Sequence, residues 1–226
     1  MKKIILALLL ALFTLSCSDD DNSSSNNLSN TPMANATYDS NNYGIYKGVF
    51  VGSTGYVLIN INNDGTISAK LTIDNSTYNF TTTESVTLGQ PISGLTFTNG
   101  SMTFDFNVSS NGSYPYVTNI NISGHPDATI EIIKELSEHL VRCYTGTFKG
   151  DTSGIFNLIF IEDEITGLAR DNEGTVIYLE GSVNNNAISG EFEGGTFAGN
   201  INNNSISGTW QNVLSENGTW SGTRRL

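Results

Sequence analysis

The chain has few of the residues that carry catalysis or bind metals. Its 226 residues include only two cysteines and two histidines. His125 and His139 stand in unrelated sequence contexts, and no serine lies in the Gly-x-Ser-x-Gly pattern of a nucleophile elbow. No cluster has the ligand spacing of a zinc site, and Asp19-Asp20-Asp21 lacks the central glycine of a calcium loop. We therefore predict no catalytic residue, no metal and no cofactor.

Basic residues are also scarce. There are 10 Lys+Arg against 22 Asp+Glu, and the formal net charge is −12. A surface of this sign repels phosphate backbones, so nucleic acid is not an expected partner. The composition is 38% hydrophobic and 10% aromatic, which is enough to build a packed core. The body of the chain is therefore expected to be globular.

Only the first residues form a long apolar run. Lys2 and Lys3 precede twelve apolar or weakly polar residues at 4–15, followed by Ser16 and Cys17. This is the pattern of a signal peptide, which we place at residues 1–16. As a helix the run would span about 18 Å, too short for a hydrocarbon core of about 30 Å. The pattern therefore predicts export rather than a membrane-spanning helix.

The residues around Cys17 extend this prediction. Thr14-Leu15-Ser16-Cys17 resembles a bacterial lipobox: Ser16 fits the usual pattern, and Thr14 and Leu15 depart from it. Ser18-Asp19-Asp20-Asp21 resembles the acidic tag of surface-exposed lipoproteins of the Bacteroidetes group. The resemblance covers only the first 21 residues. It implies a lipid on Cys17, an outer-membrane anchor and display on the cell surface, and plain secretion with an acidic spacer is the alternative.

A polar segment separates Cys17 from the globular part. Of the 25 residues from Ser18 to Asn42, 17 are Asn, Ser or Asp. Such a segment buries too little apolar surface to offset its loss of entropy on ordering, so residues 17–43 are predicted to be a lipidated cysteine with a flexible tether. If Cys17 is acylated, Cys143 has no disulfide partner in the chain. We expect Cys143 to be a small buried residue.

The remainder has the pattern of antiparallel strands. Short segments rich in Val, Ile, Thr, Tyr and Phe alternate with Asn-Gly and Asp-Gly turns, such as Asn99-Gly100. We predict an all-β fold, an up-and-down meander or barrel. Residues 155–161 and 176–179 are nearly continuous apolar runs, which predicts cover on both faces.

One segment has helical spacing. Ile133, Leu136 and Leu140 fall on one face of a helix, and Asp127 is a candidate N-cap. The sequence therefore predicts a single helix near residues 128–141, connecting two strand-rich regions.

Those two regions resemble each other. Tyr46, Gly48, Phe50 and Gly52 recur 98 residues later as Tyr144, Gly146, Phe148 and Gly150. Within the second region, the stretch 181–192 is echoed by 199–210. We interpret this as a duplicated β-meander with module 1 at 44–126, the helix at 127–142 and module 2 at 143–226. Chance similarity between glycine-rich strands is the alternative.

Four aromatic residues are candidates for ligand binding. Tyr114 and Tyr116 flank Pro115 in a turn, where they could stack on a sugar. Trp210 and Trp220 each follow Gly-Thr. A loop centred near Ser215 would place both tryptophans on one face, whereas a turn at 217–218 would not. On one inward face they would form core or line the cavity of a small barrel.

These patterns favour a non-enzymatic, lipid-anchored binding module whose partner is a glycan or a surface protein. One alternative is a carbohydrate-active enzyme using paired carboxylates, for which Glu191 and Glu193 are the candidates. Phe192 between them should point inward and turn both to solvent. A second alternative is a barrel that carries a small apolar ligand, but the many large inward residues predict a filled interior.

Overall fold

A computed structural model describes residues 28–226, which form sixteen β-strands and one 3-10 helix, Ala36–Tyr38. The predicted signal peptide, Cys17 and the acidic tag lie outside the described residues. No helix in the described part of the chain is long and apolar enough to cross a membrane. The strands are β1 Gly44–Val51, β2 Gly55–Ile61, β3 Ile67–Ile73, β4 Ser76–Thr81, β5 Ile92–Asn99, β6 Met102–Val108, β7 Tyr116–Asn121, β8 Thr129–Glu135, β9 Val141–Gly150, β10 Gly154–Ile161, β11 Glu164–Asp171, β12 Val176–Asn184, β13 Ala187–Phe192, β14 Gly195–Asn202, β15 Ser205–Asn212 and β16 Asn217–Arg224.

The first eight strands form one antiparallel sheet in the order β7-β6-β5-β4-β3-β2-β1-β8. The chain runs as a meander through β7, and β8 then returns to pair with β1. The ladder joining β4 to β5 is reduced to one residue pair, Thr81 with Thr98. This sheet curls around a core of large side chains, including Tyr46, Phe50, Phe80, Phe104 and Phe106.

The last eight strands form a closed barrel. Strands β9 to β16 pair in sequence order, and β16 closes the barrel by pairing with β9. Every connection is a short antiparallel hairpin, as the turn residues predicted. Closure satisfies the backbone groups of both edge strands, so the barrel presents no free edge.

The predicted all-β, antiparallel and duplicated architecture is confirmed. The repeated motif lies in the first strand of each half: Phe50 in β1 pairs with Gly55, and Phe148 in β9 pairs with Gly154. Tyr46 and Tyr144 are both buried in the cores of their halves. In both halves the eighth strand pairs with the first.

The predicted helix near 128–141 is wrong. The segment is strand β8, a turn at residues 136–139 and the start of β9. Ile130 and Ile132 alternate into the core of the first sheet, while Ile133 packs on the opposite side against the second barrel. Of the three residues whose spacing suggested a helix, only Ile133 lies in β8, whereas Leu136 and Leu140 lie in the connection to β9. The spacing therefore does not come from a single element. The isoleucines of β8 favour a strand.

Two of the predicted boundaries change as a result. Module 1 extends past residue 126 to the end of β8 at Glu135, and module 2 begins with β9 at Val141. Residues 28–43 are also not a free tether, which corrects the prediction for that part of 17–43. The Met33 amide donates to Oε1 of Glu135 at 2.6 Å, and the Arg224 guanidinium donates to Oδ1 of Asn30 at 2.9 Å.

Lys134 fixes the same N-terminal segment. Its ammonium group donates to the carbonyl oxygens of Tyr38, Asp39 and Asn41. Burial lowers the pKa of Lys134 to about 8, while the Asp39 carboxylate acts in the opposite direction. Hydrogen bonds to charged side chains of distant strands, rather than packing into a core, therefore hold this polar segment in place.

The two halves are joined by a small apolar cluster of Val49, Val141, Cys143 and Ile159. Cys143 is fully buried, as expected, and burial raises the pKa of its thiol to about 12. Strand β10 is covered on both faces, with Phe156, Leu158 and Phe160 inside the barrel and Ile159 in this cluster. The run at 155–161 thus has the double cover that was predicted.

Polar contacts cross the same junction. The side-chain amide of Asn157 donates to the carbonyl oxygens of Phe50 and Ser53, both at 2.9 Å. The Lys47 ammonium and the Glu135 carboxylate form a fully buried ion pair. Lys47 also donates to the carbonyl oxygen of Val141 at 3.2 Å, and the Val141 amide donates to Glu135 at 3.1 Å.

Candidate functional site

The barrel opens into a cavity at one end. Its volume is about 700 Å³, within the range of small-molecule sites. The cavity lies where β9, β11, β13 and β15 end, and residues of all four hairpin loops at that end line it. We call it the mouth cavity. A filled interior was predicted, and the structure corrects this: large inward residues are present, but they leave the mouth open.

Seven aromatic side chains line the mouth cavity. They are Phe148, Phe156, Tyr178, Phe192, Phe197, Trp210 and Trp220. Trp220 meets Phe156 and Phe197 edge to face, with ring centroids 5.9 and 6.2 Å apart, and Trp210 meets Phe148 at 6.2 Å. Edge-to-face contacts of this kind stabilise one arrangement of the rings.

Glycines on neighbouring strands make room for these rings. A methyl group on Gly208 or Gly199 would lie 2.6 or 2.5 Å from Cζ2 of Trp220. Gly190 lies in the same way under Phe197. The glycines of the sequence repeat 181–192 and 199–210 thus alternate with large inward residues. This small-and-large alternation fits the rings inside a narrow barrel.

The two tryptophans lie on the same inward face. The loop between β15 and β16 covers residues 213–216, as the alternative with a loop near Ser215 required. Trp210 pairs with Gly218 and Trp220 pairs with Gly208, so the two indoles are diagonal neighbours. They are 8% and 6% exposed and belong to the core while also lining the mouth cavity. Both roles proposed from the sequence therefore apply.

The two indole N–H groups differ. Nε1 of Trp220 donates to the Thr209 carbonyl at 3.0 Å. Nε1 of Trp210 is the one buried side-chain nitrogen or oxygen in residues 28–226 that lacks a hydrogen-bond partner. A buried polar group without a partner is costly, so native structures rarely keep one. Trp210 is therefore the less firmly held of the two rings.

Five carboxylates surround the aromatic wall. They belong to Asp151, Asp171, Glu173, Glu193 and Glu216, and no Lys, Arg or His lines the cavity. Burial acts to raise the pKa of Asp171, but hydrogen bonds from Thr175, Glu173 and Gly174 outweigh it and lower that pKa. Asp171 is therefore a carboxylate at neutral pH. The mouth combines an apolar wall with a negatively charged rim.

Apolar side chains also reach solvent beside the rim. Val213 and Leu214, in the loop before β16, are 80% and 77% exposed. Val176 and Tyr178 on β12 are 46% and 70% exposed, which contradicts the double cover predicted for residues 176–179. Clustered exposed apolar residues are typical of binding surfaces. Sequence reasoning missed this cluster because exposure cannot be read from a short apolar run.

The other candidate residues do not belong to the mouth cavity. Tyr114 lies in the turn between β6 and β7 of the first sheet, and Tyr116 is the first residue of β7; they are 85% and 53% exposed. Glu191 is on the outer wall of the barrel, where it pairs with Glu180, whereas Glu193 lies in the next turn at the mouth. The sequence argument treated Glu191 and Glu193 as one solvent-facing pair, but the structure places them in different environments.

Sequence reasoning also missed most of the cavity lining. Phe192 was expected to point inward but not to line a site, and Phe197 was not singled out, although Gly190 and Gly195 close to them carried a signal, since each glycine leaves space for a ring. Within residues 28–226, no three His, Cys, Asp or Glu side chains come together to hold a metal ion. Comparison of the chain with models of known protein families, with characterised proteins and with solved structures gave no match.

Proposed function

We propose that this protein is a non-enzymatic binding module, anchored by lipid at Cys17 in the outer membrane, whose barrel binds a small, largely apolar ligand in the mouth cavity. The observation that carries the proposal is the cavity of about 700 Å³ with seven aromatic residues in its lining. Apolar pockets of this size with a few polar groups are typical ligand sites. The exposed Val213 and Leu214 extend the apolar surface from the cavity to the outside.

A neutral fluorescent probe tests this function. N-phenyl-1-naphthylamine, which brightens in apolar surroundings, is expected to bind saturably with one molecule per protein. Phe192 is half-buried in the wall, so Phe192→Ser should keep the fold but weaken binding by about tenfold or more through lost apolar contact. Fluorescence titration gives the affinity, and circular dichroism verifies the fold. Absence of saturable binding to the unmodified protein would contradict the proposal.

The two tyrosines support glycan binding as a second candidate. Tyr114 has a backbone φ of +54° while its ring is 85% exposed. A bulky residue rarely adopts this left-handed conformation, and at this exposure the ring contributes little to packing. Tyr116 exposes a second ring on the far side of Pro115. Exposed rings of this kind can stack on the apolar face of a sugar.

We expect Tyr114→Ala/Tyr116→Ala to weaken retention on a glycan array without a marked change in melting temperature, because both rings are exposed. The same double variant should bind the fluorescent probe normally, and Phe192→Ser should bind glycans normally. Each variant is thus the control for the other site. A large drop in melting temperature of the tyrosine variant would show that the rings are structural.

The proposed anchor has its own test. A cell that expresses the protein and is fed a clickable fatty acid should label it, and Cys17→Ala should abolish the label, because the acyl chain needs that thiol. Cys143→Ala is the matched control and should stay labelled. Replacing Asp19, Asp20 and Asp21 with Ala should keep the label but reduce cleavage by protease added to intact cells. A label that survives Cys17→Ala would refute the anchor.

A further inference from the structure

We propose that the mouth cavity selects organic cations, that is, small molecules with an amine or quaternary ammonium group on an apolar or aromatic body. This inference rests on the proposed ligand-binding function and adds the charge of the ligand. Three features of the cavity carry it: the sign of its charge, the way its carboxylates are held and the chemistry of its wall.

The charge of the lining is of one sign. Five carboxylates line the cavity and no basic side chain does. Arg170, which precedes Asp171 on β11, is not in the lining and donates to the carbonyl oxygen of Gly52 in the first sheet at 3.2 Å. No ion pair within residues 28–226 involves a mouth carboxylate. The carboxylates of the lining are therefore not paired with basic side chains, and their negative potential favours a positively charged ligand.

Three of these carboxylates are held in place by hydrogen bonds. Oδ2 of Asp151 accepts from the Asn217 amide at 2.8 Å, and Oε2 of Glu216 accepts from Nδ2 of Asn212 at 2.6 Å. Oδ1 of Asp171 accepts from the Thr175 amide at 2.7 Å. Each of these three hydrogen bonds uses only one of the two oxygens of its carboxylate. Charges positioned in advance lose little side-chain entropy when a ligand binds.

The wall of the cavity suits a cation as well. The face of an aromatic ring carries partial negative charge and attracts ammonium groups, and tryptophan does so most strongly. Trp210 and Trp220 both line the cavity beside four phenylalanines. An anionic ligand would not gain this attraction.

A pair of isosteric probes separates charge from apolar contact. Phenyltrimethylammonium and tert-butylbenzene have nearly the same shape and differ by one positive charge. Both are titrated against the protein loaded with N-phenyl-1-naphthylamine, with benzenesulfonate as the anionic probe. We expect the cation to displace the probe at a concentration at least tenfold lower than its neutral isostere, the advantage to shrink as NaCl is raised, and benzenesulfonate to bind most weakly.

Charge variants locate the effect. Glu173→Gln/Glu193→Gln removes two exposed mouth charges that make no side-chain hydrogen bond within residues 28–226 and should weaken cation binding about fivefold, with tert-butylbenzene unaffected. Glu164→Gln/Glu180→Gln makes the same change in net charge on the outer wall and should leave both affinities unchanged.

Equal affinity for the two isosteres, or an equal effect of both double variants, would overturn the cation preference. Binding of the neutral probe would still support the proposed function in that case. If none of the probes binds, both proposals fail.

Discussion

Replacing Glu135 with glutamine is expected to lower the free energy of unfolding by about 3–5 kcal/mol. The Glu135 carboxylate is completely buried and pairs with the ammonium group of Lys47, a residue that is only 2% exposed. The substitution removes the negative charge and leaves the ammonium group buried without a counter-ion. Urea unfolding followed by circular dichroism measures the change.

The double variant Lys47→Met/Glu135→Gln is the control. It removes both charges, so no uncompensated ion remains, and it should be more stable than Glu135→Gln alone. The glutamine oxygen can still accept from the Met33 or Val141 amide, the two backbone donors of Glu135. A loss below about 1 kcal/mol in the single variant would mean that water or a rearranged side chain compensates Lys47. The junction between the halves would then not depend on this pair.

Replacing Gly208 with valine is expected to destabilise the barrel by about 3 kcal/mol or more, the upper range for overpacking a core. The first side-chain carbon would lie 2.6 Å from Cζ2 of Trp220 and would also overlap the carbonyl oxygen of Ala198. The ring cannot move freely, because its Nε1 is bonded to Thr209 and Phe156 and Phe197 pack against it. Thermal unfolding measures the loss.

Ser207→Val provides the comparison, since Ser207 is the exposed neighbour of Gly208 on the same strand. It adds the same side chain to the outer face and should change stability little. Binding of N-phenyl-1-naphthylamine adds a second readout, because a displaced Trp220 would alter the mouth cavity. If Gly208→Val is as stable as Ser207→Val, the glycines of the repeat do not serve to accommodate the aromatic rings.

Much of the fold could be predicted from local sequence. Hairpins were predictable because turn residues act over a few positions, and the repeat Tyr46-x-Gly48-x-Phe50 revealed the second half. Such features depend on interactions between residues that are close in sequence.

The errors share a physical cause. The periodicity of apolar residues identifies an element only if the residues belong to one element, and here Ile133 lies in β8 whereas Leu136 and Leu140 lie in the connection to β9. Residues 28–43 contain too few apolar residues to predict order, but buried charges from distant strands, Lys134, Glu135 and Arg224, bind their backbone or side chains. Neither effect can be inferred without knowing which strands meet.

The sequence by itself therefore determined the all-β class, the antiparallel hairpins and the duplication, because turn chemistry and strand alternation are local. The tertiary structure decided the inward orientation of Trp210 and Trp220, the strand identity of residues 129–135, the buried Lys47–Glu135 ion pair and the mouth cavity. The cavity exists because barrel closure brings the ends of eight strands together. Its rings come from the strands and its carboxylates from strand ends and loops, spread along the chain from Phe148 to Trp220, and only closure makes them neighbours.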